Sequence, residues 1–158
     1  MRRTITAILL LLGVLQLWAC AMHEGATQPV EPIAWRTLAA GKTEALERNM
    51  PVLVDFYVGP MCPRCNRLDQ YVYGDAEAVA RINRDFVPVR IDLSKILTPE
   101  EEELSKVLGT GGECMLAFLD PKGNAVTDVS GERICTMEEL SKREFLEYLD
   151  RALARIKH

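Results

Sequence analysis

The chain has 158 residues, a formal net charge of −4 at neutral pH and 48% hydrophobic residues. This is enough apolar content for one core, and without a Lys/Arg cluster it gives no support for nucleic-acid binding. Five cysteines stand against two histidines, His23 and His158, which lie near the chain ends.

Arg2 and Arg3 precede an apolar segment from Ile5 to Trp18, too short to span a bilayer comfortably but suited to the core of a secretory signal. Residues 1–21 are therefore expected to be a signal and processing region outside the fold. Leu17-Trp18-Ala19-Cys20 is similar to a bacterial lipobox, with Cys20 as the lipidated first residue of the mature chain. Ala19-Cys20-Ala21 also reads as a small-x-small site for the ordinary signal peptidase. Lipidation is preferred because a cysteine here has no other use, and more than one acyl chain gives stable anchoring to a membrane. Either route exports the domain from the bacterial cytoplasm. Ala21 after Cys20, rather than Asp, implies onward transfer to the outer membrane, whereas an unlipidated domain would be soluble in the periplasm. Residues 22–32, with Gly25, Thr27, Gln28, Pro29 and Pro32, read as a flexible linker, which leaves 33–158 as a single domain.

Within it, Ile33 to Thr37 reads as a short first strand and Ala39 to Asn49 as a helix. Val52 to Val58 is a continuous apolar run interrupted only by Asp55, which suits a central strand covered on both faces. Cys62 to Tyr73 follows as a helix, and a second opens at Asp75. Phe86 to Asp92 is a core strand in which Pro88 counsels an irregular start. Pro99 to Leu108 is helical, ending at Gly109, with Glu100 to Glu103 suited to its first turn. Met115 to Leu119 and Ala125 to Val129 flank Asp120-Pro121-Lys122-Gly123-Asn124 as a hairpin. Glu138 to Ile156 forms the last helix. The order β-α-β-α-α-β-α-β-β-α gives an α/β fold of three layers, α/β/α, around a mixed sheet.

Cys62-Pro63-Arg64-Cys65 carries the chemistry. Pro63 fits the first helical position, where its missing N–H costs nothing, so Cys62 sits at a helix N-terminus. Unpaired N–H groups and the positive end of the dipole stabilise a thiolate there. Arg64 is expected to add positive charge between the two sulfurs. Cys62 is then the nucleophile, and Cys65, one turn later and more enclosed, resolves the mixed disulfide. Asp55 is placed either to exchange the Cys65 proton through a water or simply at a frayed strand edge. A structural zinc half-site is the competing reading of the cysteines, but no second ligand pair stands at suitable spacing.

Together these segments resemble the thioredoxin fold, and most of all the periplasmic thioredoxin-like domain of DsbD-type reductases and related single-domain lipoproteins. The resemblance spans Ile33 to Leu153. It rests on Met50-Pro51-Val52-Leu53-Val54-Asp55-Phe56-Tyr57, Val72-Tyr73-Gly74-Asp75, the strand ending at Asp92, the Phe118-Leu119-Asp120-Pro121-Lys122-Gly123 turn and Gly131. It implies Cys62 as attacking thiol, Cys65 as resolving thiol, Asp55 as the buried carboxylate and no organic cofactor. It also implies protein disulfide or dithiol clients and a membrane electron donor of DsbD type.

The chain departs from that family at several positions. The approach Val58-Gly59-Pro60-Met61 is one residue longer than usual, and Met61 stands where an aromatic is expected. Counting back from Asp120 puts Cys114 where the family has a cis-proline, within a groove that here comprises Met61, Pro63, Arg64, Glu113, Cys114 and Met115. Without that proline a third sulfur can face the first two. Cys135 follows Gly131 in a loop expected beside the site. Cys114 and Cys135 therefore read as a second disulfide, as independent thiols, or as partners of Cys62 and Cys65 around Zn(II), Cu(I) or an iron–sulfur cluster. The leading expectation is a thiol:disulfide oxidoreductase, and the alternative a thiolate metal-binding or metal-delivery lipoprotein.

Overall fold

The computed structural model describes residues 31–138 and 140–157. The signal region, Cys20, residues 22–30 of the linker and His158 lie outside the described residues. Thr37 caps helix α1 (Leu38–Arg48), its side chain accepting from the Ala40 N–H. Strand β1 (Val52–Tyr57) follows, then α2 (Pro63–Tyr71) and α3 (Ala76–Asp85), whose cap Asp75 accepts from the N–H groups of Glu77 and Ala78. Next come β2 (Val87–Asp92), α4 (Pro99–Leu108), β3 (Met115–Leu119), β4 (Cys135–Thr136) and α5 (Lys142–Ile156).

The sheet order is β2-β1-β3-β4. β1 runs parallel to β2 and antiparallel to β3, and β4 is antiparallel to β3. Alternation along β1 divides the core. Val52, Val54 and Phe56 pack with Leu38, Ala45 and Leu108, from the α1 and α4 side. Leu53 packs with Leu68, Val79, Ile82, Phe145 and Leu149, from α2, α3 and α5. Because β1 is covered on both faces, its sequence is apolar apart from Asp55 rather than alternating. Asp55, in the same alternation as Leu53, enters the α2 side only 3% exposed.

Three expected elements differ. Ile33 to Thr37 is not a strand: Thr37 opens α1 at once, leaving a single parallel bridge between Arg36 and Val89. Ala125 to Val129 contributes only the bridges Leu119–Ala125 and Thr127–Arg133. The Asp120 turn forms, with Gly123 N–H donating to Asp120 O at 2.9 Å. A second turn follows too soon for a ladder, because the Asp128 carboxylate gathers the N–H groups of Ser130 and Glu132. The fourth strand is instead Cys135–Thr136. The last helix begins at Lys142 rather than Glu138, because Ser141 and Glu144 close a capping box there, a signal legible as Ser-x-x-Glu. Pro88 is accommodated because β2 is the outer strand of the sheet, where a missing donor is tolerated.

Candidate active site

The chain leaves β1 at Tyr57 and reverses through Gly59, whose φ of +101° is the left-handed backbone that favours glycine. Cys62 N–H donates to Gly59 O at 3.2 Å, and the Asn66 side chain donates to Pro60 O at 2.8 Å. These bonds seat Cys62 as the N-cap of α2, with Pro63 in its first turn. The Cys65 N–H donates to the Cys62 sulfur at 3.2 Å. Burial opposes ionisation of Cys62, but hydrogen bonds from the Cys65 thiol and N–H, the Cys114 thiol and the Arg64 backbone outweigh it and hold its pKa below the ordinary thiol value. Cys65 has the opposite setting: only 4% exposed, it is pushed up to about 12 by burial and by its hydrogen bond with Cys62. One thiol is thus prepared to ionise and its neighbour to remain protonated.

A third sulfur completes the site. Cys114 ends a loop that turns through Gly111 and Gly112, both at positive φ, after the buried Thr110, whose hydroxyl pairs with that of Ser105. Its sulfur lies 3.3 Å from that of Cys62. The Cys62, Cys65 and Cys114 sulfurs all fall within 4.8 Å of one another. Burial and Cys62 raise the Cys114 pKa, while the Arg64 guanidinium pulls it back.

Arg64 therefore does not place its charge between Cys62 and Cys65 as expected. It is buried, and its Nε and Nη2 donate to Glu138 O and Thr136 O, each at 3.1 Å, so the guanidinium reaches across to the β4–α5 segment and bears on Cys114. Its Nη1 is buried with no hydrogen-bond partner.

Cys135 is not part of the cluster. It is exposed and stands opposite Ala117 in the β3–β4 register. Cys114 is three residues back along that register, about 10 Å at roughly 3.3 Å per residue, beyond the roughly 6.8 Å that a disulfide spans between Cα atoms. Of the three readings open for Cys114 and Cys135, the second disulfide and the four-cysteine cluster are corrected by this spacing. Met115 also differs from expectation: its side chain is buried against Val54 and Phe56, leaving only its backbone to a groove. Glu113 is exposed, and Met61, 91% exposed, stands on the rim.

Asp55 sits beside Arg90 in the parallel register, and Arg90 donates from Nε to its Oδ2 at 2.9 Å. The frayed-edge alternative is thereby corrected. Burial pushes the Asp55 pKa up, and the Arg90 charge and hydrogen bond pull against it. Arg90 also donates to Asp69 of α2 at 2.9 Å, and its guanidinium lies 4.3 Å from the Trp35 ring and 4.8 Å from the Tyr57 ring. Sequence reasoning missed Arg90, although it is the lone basic residue in an apolar strand, in the position that β1 assigns to Asp55.

The chain belongs to the thioredoxin-like domain family, whose model matches residues 38–151. No curated protein matches the sequence. The fold is similar to that of a solved structure described as DsbH oxidoreductase, at 18% identity and TM-score 0.64, covering 86% of this chain and 97% of that one. It is also similar to a thioredoxin from Thermus thermophilus, at 22% identity and TM-score 0.63, covering 80% and 91%. The C-terminal domain of Neisseria meningitidis DsbD, in its oxidised form, aligns at 23% identity and TM-score 0.57, covering 72% and 90%. At these identities the likeness is one of fold.

Proposed function

We propose that this protein is an exported thiol:disulfide oxidoreductase, tethered to a membrane through a lipidated Cys20, that reduces disulfides in client proteins. The observation that carries the reading is the split between neighbouring thiols, Cys62 favoured as thiolate and Cys65 held protonated. Cys62 thiolate attacks one sulfur of a client disulfide, and the other client sulfur leaves as a thiolate. Cys65 then loses its proton and attacks the Cys62 sulfur, releasing the second client thiolate. The client gains two electrons, and the protein is left with a Cys62–Cys65 disulfide.

A thiol pushed up to about 12 needs a base at that second step. Asp55 is the carboxylate assigned to it, acting through a water. Its raised pKa makes it a stronger base than an ordinary carboxylate. The oxidised pair is returned to the dithiol by a membrane electron donor of DsbD type. A low pKa at Cys62 pulls toward an oxidising potential; the likeness to the DsbD domain favours the reductant.

Among the described residues no helix is long and apolar enough to cross a membrane, so tethering rests on the N-terminal segment. The test is reduction of insulin disulfides by the purified protein with dithiothreitol as donor. Cys62→Ser abolishes turnover, and Cys65→Ser accumulates a client adduct on Cys62. Turnover that survives Cys62→Ser overturns the assignment. Intact mass of the protein from bacterial membranes tests the anchor, diacylglyceryl mass on Cys20 being the expected result.

A further inference from the structure

The Cys62, Cys65 and Cys114 sulfurs converge from the start of α2 and from the loop before β3, all within 4.8 Å of one another, and no other group of three or more His, Cys, Asp or Glu side chains with this closeness occurs among the described residues. With metal–sulfur bonds of about 2.3 Å, as in zinc thiolates, sulfurs at the corners of a planar triangle lie about 4.0 Å apart. The site brackets that distance, with Cys62 and Cys114 at 3.3 Å and all three sulfurs within 4.8 Å. Small side-chain rotations open it to a triangle.

From this geometry we infer that the reduced protein binds one Cu(I) ion in a three-coordinate site made by the Cys62, Cys65 and Cys114 thiolates, with Arg64 as its buried counter-charge. Three soft ligands, with no fourth beside them among the described residues, distinguish the metals. Structural zinc takes four protein ligands, zinc with three needs a water to complete its tetrahedron, and an iron–sulfur cluster takes four cysteines. Cu(I) is a soft, closed-shell cation selected by thiolates and is satisfied by three. On binding, three Cu–S bonds form, the thiol protons pass to solvent, and no electrons move.

The resulting centre, one monovalent cation among three thiolates, is anionic and partly buried, and such a centre needs compensating charge. Arg64 supplies it. The residue is 7% exposed, its Nε and Nη2 are engaged by Thr136 and Glu138 carbonyls, and its Nη1 is buried without a partner while the guanidinium bears on Cys114. A buried donor with no acceptor is costly, and a copper-bound Cys114 thiolate would be a stronger acceptor for this guanidinium than the neutral thiol it faces. This is the outer-shell support that metal sites use to orient and charge-match their ligands. Copper occupancy and disulfide exchange exclude each other, because both require the Cys62 sulfur.

The test is an anaerobic titration of the reduced full chain with Cu(I) in competition with bicinchoninate, with X-ray absorption on the product. One copper per chain with three sulfur scatterers is the expected result. Cys114→Ser should weaken binding by more than the roughly 10–100-fold that loss of an outer-shell partner costs, and Arg64→Gln by a factor within that range. A centre with two sulfur scatterers, an affinity unchanged in Cys114→Ser, or tighter binding of Zn(II) than of Cu(I) overturns the inference. Insulin reduction by the metal-free wild-type chain is scored separately. Turnover without copper binding refutes this inference alone, and copper binding without turnover refutes only the oxidoreductase reading.

Discussion

Replacing Cys114 by alanine removes the thiol that lies 3.3 Å from the Cys62 sulfur and helps hold Cys62 below the ordinary thiol pKa. A hydrogen bond to a charged group contributes about 1.5–3 kcal/mol. A thiol is a weak donor, so about 1 kcal/mol is a reasonable figure for this contact. Well below the Cys62 pKa that loss lowers the thiolate fraction about fivefold, since about 1.4 kcal/mol is tenfold. The more basic thiolate is also the better nucleophile, with a Brønsted coefficient of about 0.4–0.5, which restores about twofold. Alkylation of Cys62 in Cys114→Ala should therefore be about 2.5-fold slower than wild type at low pH and about twofold faster once both proteins are fully ionised. The two pH–rate curves cross. The assay is iodoacetamide labelling across pH, with the Cys62 peptide quantified by mass so that Cys65 and Cys135 do not contribute. Cys114→Ser, which keeps a donor, should follow wild type. Curves for wild type and Cys114→Ala that superimpose, or an alanine variant faster at every pH, would show that the Cys114 thiol does not stabilise the Cys62 thiolate.

Other outcomes follow from the same structure. Gly41 lies in α1, where alanine is normally better by about 1 kcal/mol, but a Cβ there would overlap Cγ2 of Val89, which is fully buried. Overpacking of about 1–3 kcal/mol should win, so Gly41→Ala should lower the urea midpoint, whereas a raised midpoint would mean that α1 lifts off β2 without penalty. The raised Asp55 pKa means that its favourable contribution to stability is complete below the unfolded carboxylate value, near 3.8, and is lost as pH rises through the folded value. Asp55→Asn keeps an acceptor for Arg90 and removes that loss, so in urea denaturation the variant should gain on wild type as pH rises from about 3.8 to the folded value and keep that gain above it; a constant difference across this whole range would contradict it. Ser141→Ala removes one half of the α5 capping box and should cost about 1 kcal/mol, measured the same way.

Much of this architecture is legible in local sequence. The apolar run of β1, the Cys62-Pro63 helix start and the Asp120–Asn124 turn each carry a strong short-range signal, and each forms where the pattern puts it. What the sequence hides are pairings across the sheet. Two residues, Cys135 and Thr136, become a strand only because β3 offers them an edge, and no periodicity announces so short an element. The Asp55–Arg90 pair has the same origin, since a parallel register between strands separated by two helices is not encoded in spacing. The third sulfur was anticipated at Cys114 from its place before β3, whereas the distance of Cys135 from it depends on the β3–β4 register. The direction of Arg64 was missed because its acceptors, the carbonyls of Thr136 and Glu138, lie more than seventy residues away.

If Cys62 and Cys65 form one reversible redox couple, a redox titration of the metal-free chain will show it. Cysteines left reduced are alkylated at each glutathione or dithiothreitol potential and located by peptide mass. A single two-electron transition confined to Cys62 and Cys65 is expected, with Cys114 and Cys135 alkylated throughout and a midpoint toward the reducing end of the roughly −270 to −120 mV range of such proteins. A stable disulfide between Cys62 and Cys114, or no reversible step at Cys62, would contradict it.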